Sequence, residues 1–189
     1  MSSENHAEIL YHTKKSLNIE LEFASEKVSF GKNIINTSLQ FYVFPGQRQK
    51  QSIKITTFDE ILEIFNYFPA MKKISVLLLV YDVSRSNTLK SLEMWLKVAL
   101  AQEWLNEKSL VLLISNKVDL KEPNYEYLQQ LLGGIHNLII RKIPNFCETQ
   151  VRAINTSCLT LEGIRWLREE ITYWIAENGI QGVGARDNY

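Results

Sequence analysis

The chain has 189 residues, 46% hydrophobic and 22% charged, with 21 basic residues balancing 21 acidic ones. That size and mix suit one globular domain with a substantial core, and the even balance leaves no electrostatic footprint for nucleic acid or an anionic membrane. Cys147 and Cys158 make no disulfide framework, which points to a reducing compartment.

In chain order, Leu17–Phe30 alternates in part, through Leu17, Ile19, Leu21 and Phe23, as a half-buried strand does. Gly31-Lys32-Asn33 then turns into Ile34–Phe44, which predicts a hairpin. Thr57–Met71 has helical spacing, with Phe58, Ile61, Leu62 and Phe65 on one face and Thr57 as its cap. Ile74–Tyr81 is a nearly continuous apolar run, the pattern of a strand covered on both faces. Ser86–Leu105 predicts an amphipathic helix whose stripe is Leu89, Leu92, Leu96, Leu100 and Trp104. Leu110–Ile114 is the next buried strand, and Pro123–Ile143 is helical with a break or cap at Gly133-Gly134. Val151–Asn155 is a short strand. Leu161–Glu177 is the last helix, with Ile164, Leu167, Ile171 and Trp174 inward, and a disordered tail is expected over Gly179–Tyr189.

Strands alternating with helices predict an α/β sandwich on a mostly parallel sheet, where ligands sit at the C-terminal strand ends. Asp82, Asn116 and Thr156 all fall there. Asn116-Lys117-Val118-Asp119 follows a buried strand, and its plain alternative is an Asx turn. Asn155-Thr156-Ser157-Cys158 also ends a strand just before a helix, where a Ser/Thr cap is the simpler reading. Phe44-Pro45-Gly46-Gln47 closes a strand as any Pro-Gly turn does. Asp82 is expected to cap the helix after it. His6, His12 and His136 have no carboxylate or Cys partners at ligand spacing, so neither a metal site nor a nucleophile triad is expected. Trp95, Trp104, Trp166 and Trp174 fall in predicted helices, as core or partner-facing anchors.

Taken together and in this order, these segments resemble the Ras superfamily of small GTPases, from about Leu17 to Ala176. Phe-Pro-Gly-Gln and the long stretch from Gln47 to the Ile74 strand resemble the Rag/Gtr branch, and bacterial polarity GTPases also carry Pro-Gly-Gln without the aspartate. Glu162-Gly163-Ile164-Arg165-Trp166-Leu167 resembles Arf. The resemblance implies that Asn116, Lys117 and Asp119 read guanine, and that the Ser157 and Cys158 backbone meets the guanine carbonyl. An aspartate carboxylate accepts two hydrogen bonds, from the ring N–H and the exocyclic amine that distinguish guanine from adenine. It also implies that Gly46 contacts a γ-phosphate and Gln47 orients the attacking water.

The 189 residues contain no Gly-x-x-x-x-Gly-Lys-Ser/Thr, and Ser29-Phe30-Gly31-Lys32-Asn33 lies in a hairpin turn rather than between strand and helix. Val43 stands where the switch II aspartate belongs and offers Mg²⁺ no oxygen, so metal binding is doubtful. The expectation is a Ras-like, P-loop-NTPase-type three-layer sandwich whose first strand–P-loop–helix unit is missing or degenerate. Its parts are a short N-terminal segment over 1–16, a small-GTPase-like domain over 17–178 and the tail over 179–189.

The implied function is a guanine-nucleotide switch protein with weak GTP or GDP binding and little or no hydrolysis by the isolated chain. The alternative is a pseudo-GTPase scaffold, or one half of a homo- or heterodimeric GTPase complex with a protein partner. A third reading, an unrelated doubly wound domain of response-regulator type with Asp82 at a strand end, has only Glu4 and Glu8 as an acidic cluster. The apolar run at Val76–Val80 is too short to span a bilayer. Met1–His6 carries no signal-peptide pattern, and neither Ser2 nor Arg186–Tyr189 fits a lipidation motif. A soluble cytoplasmic protein is expected.

Overall fold

A computed structural model describes residues 20–30, 33–44, 58, 59, 62, 73–85 and 87–183. The chain divides into two compact units, one of Met1–Glu26 with Ser38–Ala70, the other of Lys27–Thr37 with Met71–Tyr189. The sheet that the sequence predicts as one is two sheets among the described residues, one of two strands and one of three.

The first sheet pairs β1 (Glu20–Phe30) with β2 (Asn33–Val43). A connection of two residues admits only an antiparallel hairpin. Along β2, Thr37 and Leu39 are buried while Asn36, Ser38 and Gln40 are exposed, the period-two pattern of a strand with one covered face. Gln40 and Tyr42 share the exposed face, and the Gln40 amide donates to the Tyr42 hydroxyl at 2.9 Å. In the segment predicted as a helix over Thr57–Met71, Phe58, Asp59 and Leu62 are described and are helical.

The second sheet runs β3 (Val76–Asp82), β4 (Leu110–Asn116) and β5 (Val151–Thr156), all parallel, with β4 in the middle. Burial from Leu110 to Ile114 is at least 98% at every residue, which needs cover on both faces and explains the unbroken apolar run. Between β3 and β4 comes α1 (Asn87–Ala101), and between β4 and β5 comes α2 (Tyr125–Ile140). Right-handed crossovers place both on one face, and they touch each other there. The third helix, α3 (Ile164–Val183), packs on β5. Three layers result. No helix among the described residues is long and apolar enough to cross a membrane.

Local chemistry sets the element ends. Helix α1 buries Leu92, Leu96, Val98 and Ala99. It stops short of the predicted Leu105 because Glu103 takes a left-handed backbone (φ 54°) and the Trp104 N–H reaches back to the Ala99 carbonyl at 2.9 Å. Trp104 therefore lies beyond the helix and is buried, and its carbonyl accepts the Ile74 N–H at 2.8 Å. Helix α2 starts at Asn124, whose side chain accepts the Tyr127 N–H at 3.0 Å.

Gly133-Gly134 does not break α2, against expectation. Leu128, Ile135 and Ile139 are buried on one side of the helix, and that packing outweighs about 1 kcal/mol of lost propensity per glycine. Likewise α3 continues through Gly179 to Val183, where a disordered tail was expected to begin. A short 3₁₀ turn, Glu148–Gln150, leads into β5. Buried Gln150 donates to the Glu107 and Ser109 carbonyls at 2.8 and 2.9 Å and accepts the Cys147 N–H at 2.8 Å, so its amide ties the chain ahead of β4 to the chain ahead of β5.

Candidate functional site

Parallel register puts Asp82, Asn116 and Thr156 side by side, each the last residue of its strand. Past this row the backbone ladder continues for one more step on each side. The Val83 N–H donates to the Asn116 carbonyl at 3.0 Å and the Val118 N–H to the Thr156 carbonyl at 3.2 Å. The loops after the three strands are thus tied together by backbone hydrogen bonds.

Asn116 turns its side chain back into this frame. Its Oδ1 accepts the Lys117 N–H at 2.9 Å and the Thr156 hydroxyl at 3.3 Å, with the Cys158 thiol at 3.7 Å. Lys117 takes a left-handed backbone (φ 66°), uncommon for a residue with a Cβ. Its ammonium lies 2.6 Å from Asp82 Oδ2. Asp82 Oδ1 accepts the Ser84 N–H at 2.9 Å and the Ser84 hydroxyl at 2.6 Å. The hydrogen bond from Lys117, then that from the Ser84 hydroxyl, hold the Asp82 carboxyl down at about 2, against an ordinary 3.8. Asp82 is therefore no helix cap. At the start of α1 it is Thr88 that bonds back, its hydroxyl donating to the Arg85 carbonyl at 2.7 Å.

Asp119 is held from the other side. The fully buried Ser157 donates its hydroxyl to Asp119 Oδ1, and Ser157 Oγ in turn accepts the Thr160 N–H at 3.1 Å. One carboxylate oxygen is thereby fixed, while Oδ2 meets no partner among the described residues. The Ser157 N–H is already given to the Glu162 carbonyl at 3.0 Å. The Ser157 N–H that the resemblance implies as a donor to the guanine carbonyl is thus engaged by Glu162, and the Ser157 hydroxyl meets Asp119 instead. Sequence reasoning had no signal for that exchange, because it depends on where Glu162 returns.

That return depends on Gly163. Its φ is +68°, and a Cβ there would stand 1.9 Å from the Asn155 carbonyl oxygen. Only glycine lets the chain cross so close over the end of β5 and begin α3.

The structure thus brings together Asn116, Lys117, Asp119, Ser157 and Cys158. Gly46 and Gln47 lie outside the described residues. Around the same loops, Leu120, Tyr125, Leu159, Leu161 and Trp166 expose large apolar side chains. The model of the Ras family matches residues 15–156. No curated protein matches the chain.

Proposed function

The chain belongs to the Ras family, and we propose that it is a guanine-nucleotide-binding switch domain that keeps base recognition and lacks the phosphate-binding loop, so that it holds GTP or GDP weakly and hydrolyses little on its own. The observation that supports this most is the Asp119 carboxylate, fixed through one oxygen by buried Ser157 and open at the other. A carboxylate so held meets the paired N–H groups of guanine without reorganising. The Cys158 N–H supplies the donor for the guanine carbonyl, and the Lys117 stem covers the ring.

Phosphate affinity in such sites comes from loop N–H groups, a lysine and a metal. Base contacts alone leave binding near millimolar rather than nanomolar, a difference of about 8 kcal/mol. The same reading has Mg²⁺ held poorly, because Val43 at the end of β2, where the family carries its switch II aspartate, offers no oxygen ligand. Gln47 is the residue proposed to position water if hydrolysis occurs, with Gly46 beside the phosphate. Positioning around phosphates supplies most of the rate of such reactions, so the isolated chain is proposed to turn over little.

A second reading is a pseudo-GTPase that works by binding a protein partner in the cytoplasm, as a scaffold or as one half of a GTPase pair. It is favoured by Leu159, Leu161 and Trp166, which are 81, 68 and 59% exposed beside the base loops. Titration with GDP and xanthosine diphosphate separates the two. In xanthosine a carbonyl replaces the exocyclic amine, so Asp119→Asn should shift preference from GDP to xanthosine diphosphate by at least tenfold. Absence of saturable GDP binding at several millimolar would leave the scaffold reading standing alone.

A further inference from the structure

We propose that Asp82 is a positioning residue of the base site: its carboxylate anchors the Lys117 ammonium so that the lysine's methylene stem is held across the face of a bound guanine. This rests on the reading of residues 116–119 and 156–158 as a base site, and it assigns a role to a side chain outside those two segments.

Three observations carry it. The anchor is itself fixed, because Asp82 Oδ1 is bound by the Ser84 N–H and hydroxyl, leaving Oδ2 to face the ammonium at 2.6 Å. The other cation near Oδ2, Arg85, stands at 3.9 Å with a more exposed side chain, so Lys117 is the principal partner. Second, the register pairs Asp82 with Asn116, one strand over from the strand that carries the lysine, while Asp119 and Ser157 are joined toward β5. The lysine therefore extends toward β3 and the carboxylate that reads the ring edge is fastened toward β5. Third, the left-handed backbone at Lys117 (φ 66°) sets the direction in which the side chain leaves the strand, and at 46% exposure the stem is available to a ligand.

A free lysine side chain must be ordered when a ring slides beneath it, and one tethered at its tip has been ordered by the fold. Losing the tether should weaken binding three- to tenfold. The loss should be equal for guanine and hypoxanthine nucleotides, which share a ring face and differ at the exocyclic amine that Asp119 reads.

The test is an NMR titration of the full chain with GDP and inosine diphosphate, for wild type, Asp82→Asn, Lys117→Met and the double variant. Asparagine keeps an oxygen for Ser84 and removes the charge. The expected result is a three- to tenfold weakening of both nucleotides in Asp82→Asn, and no further loss when Asp82→Asn is added to Lys117→Met. Unchanged or tighter binding by Asp82→Asn, or losses that add in the double variant, overturns the anchor. A strand staple alone would change stability and leave those affinities untouched. Carbon relaxation at the Lys117 side chain of ligand-free wild type gives a readout that needs no variant to fold: an ordered terminal methylene is expected, and one as mobile as Lys121 overturns the proposal. Wild type that fails to saturate sinks the base site together with its anchor, whereas a saturating wild type with an unaffected Asp82→Asn sinks the anchor alone.

Discussion

Replacing Gly163 by alanine should unfold the protein more readily than any change of similar size on its surface. The added Cβ would meet the Asn155 carbonyl oxygen at 1.9 Å and its carbon at 3.0 Å, while a normal carbon–oxygen contact is about 3.3 Å. The backbone must therefore retreat by more than about 1 Å. An alanine at positive φ adds about 1 kcal/mol. The retreat strains two hydrogen bonds that flank the glycine, from Ser157 N–H to Glu162 and from Leu167 N–H to Gly163, at 3.0 and 2.9 Å. At about 1 kcal/mol each, the total reaches about 3 kcal/mol. With a urea slope near 2 kcal/mol per molar, the unfolding midpoint should drop by about 1.5 M.

Gly133→Ala and Gly134→Ala supply the opposite sign in the same assay. Both sit inside α2 with nothing within 4 Å of an added Cβ, so each should raise stability by about 0.5–1 kcal/mol. A Gly163→Ala midpoint within about 0.3 M of wild type, at the ordinary slope, would refute the close crossing over β5. So would destabilisation by either helical alanine, for the open face of α2.

Ser157→Ala removes the hydroxyl that joins Asp119 to the Thr160 N–H; stability should fall by about 1–2 kcal/mol, and GDP affinity should fall about tenfold by calorimetry. Acid should probe Asp82. Its folded carboxyl sits near 2 against 3.8, so the native state favours the charged form; its contribution is complete above about pH 4 and disappears as pH falls toward 2. With Lys117 46% exposed, screening limits that contribution to about 1 kcal/mol. Urea midpoints measured from pH 5 to pH 2 should fall less steeply in Asp82→Asn than in wild type.

The sequence made the frame of the site legible where one physical signal dominated. Leu110–Ile114 reads as a central strand because burial on both faces leaves no polar position to confuse the pattern. Asn116 and Thr156 then follow as strand ends, and parallel register places them side by side. Signals that depend on tertiary returns were hidden. Gly133-Gly134 looks like punctuation locally, yet the buried stripe of α2 overrides it. Gly163 falls inside the helix predicted over Leu161–Glu177, and its necessity comes from an Asn155 carbonyl eight positions earlier. Asp82 reads as a cap because caps follow strands, and its carboxylate turned instead to a lysine thirty-five positions later.

Every side chain of the base rim comes from Met71–Tyr189, within one of the two compact units, whereas Gly46 and Gln47 belong to the stretch Ser38–Ala70 of the other. Asp119 is oriented by Ser157, Asn116 is tied to Thr156, and Lys117 to Asp82, so each proposed reader of the ring is held by a residue of the same three-stranded sheet or its loops. On the proposed reading, base recognition can persist when phosphate chemistry is weakened, because these three hydrogen bonds all join residues of one compact unit. A substitution at Gln47 should accordingly leave GDP affinity unchanged, and a Ser157→Ala change should lower it.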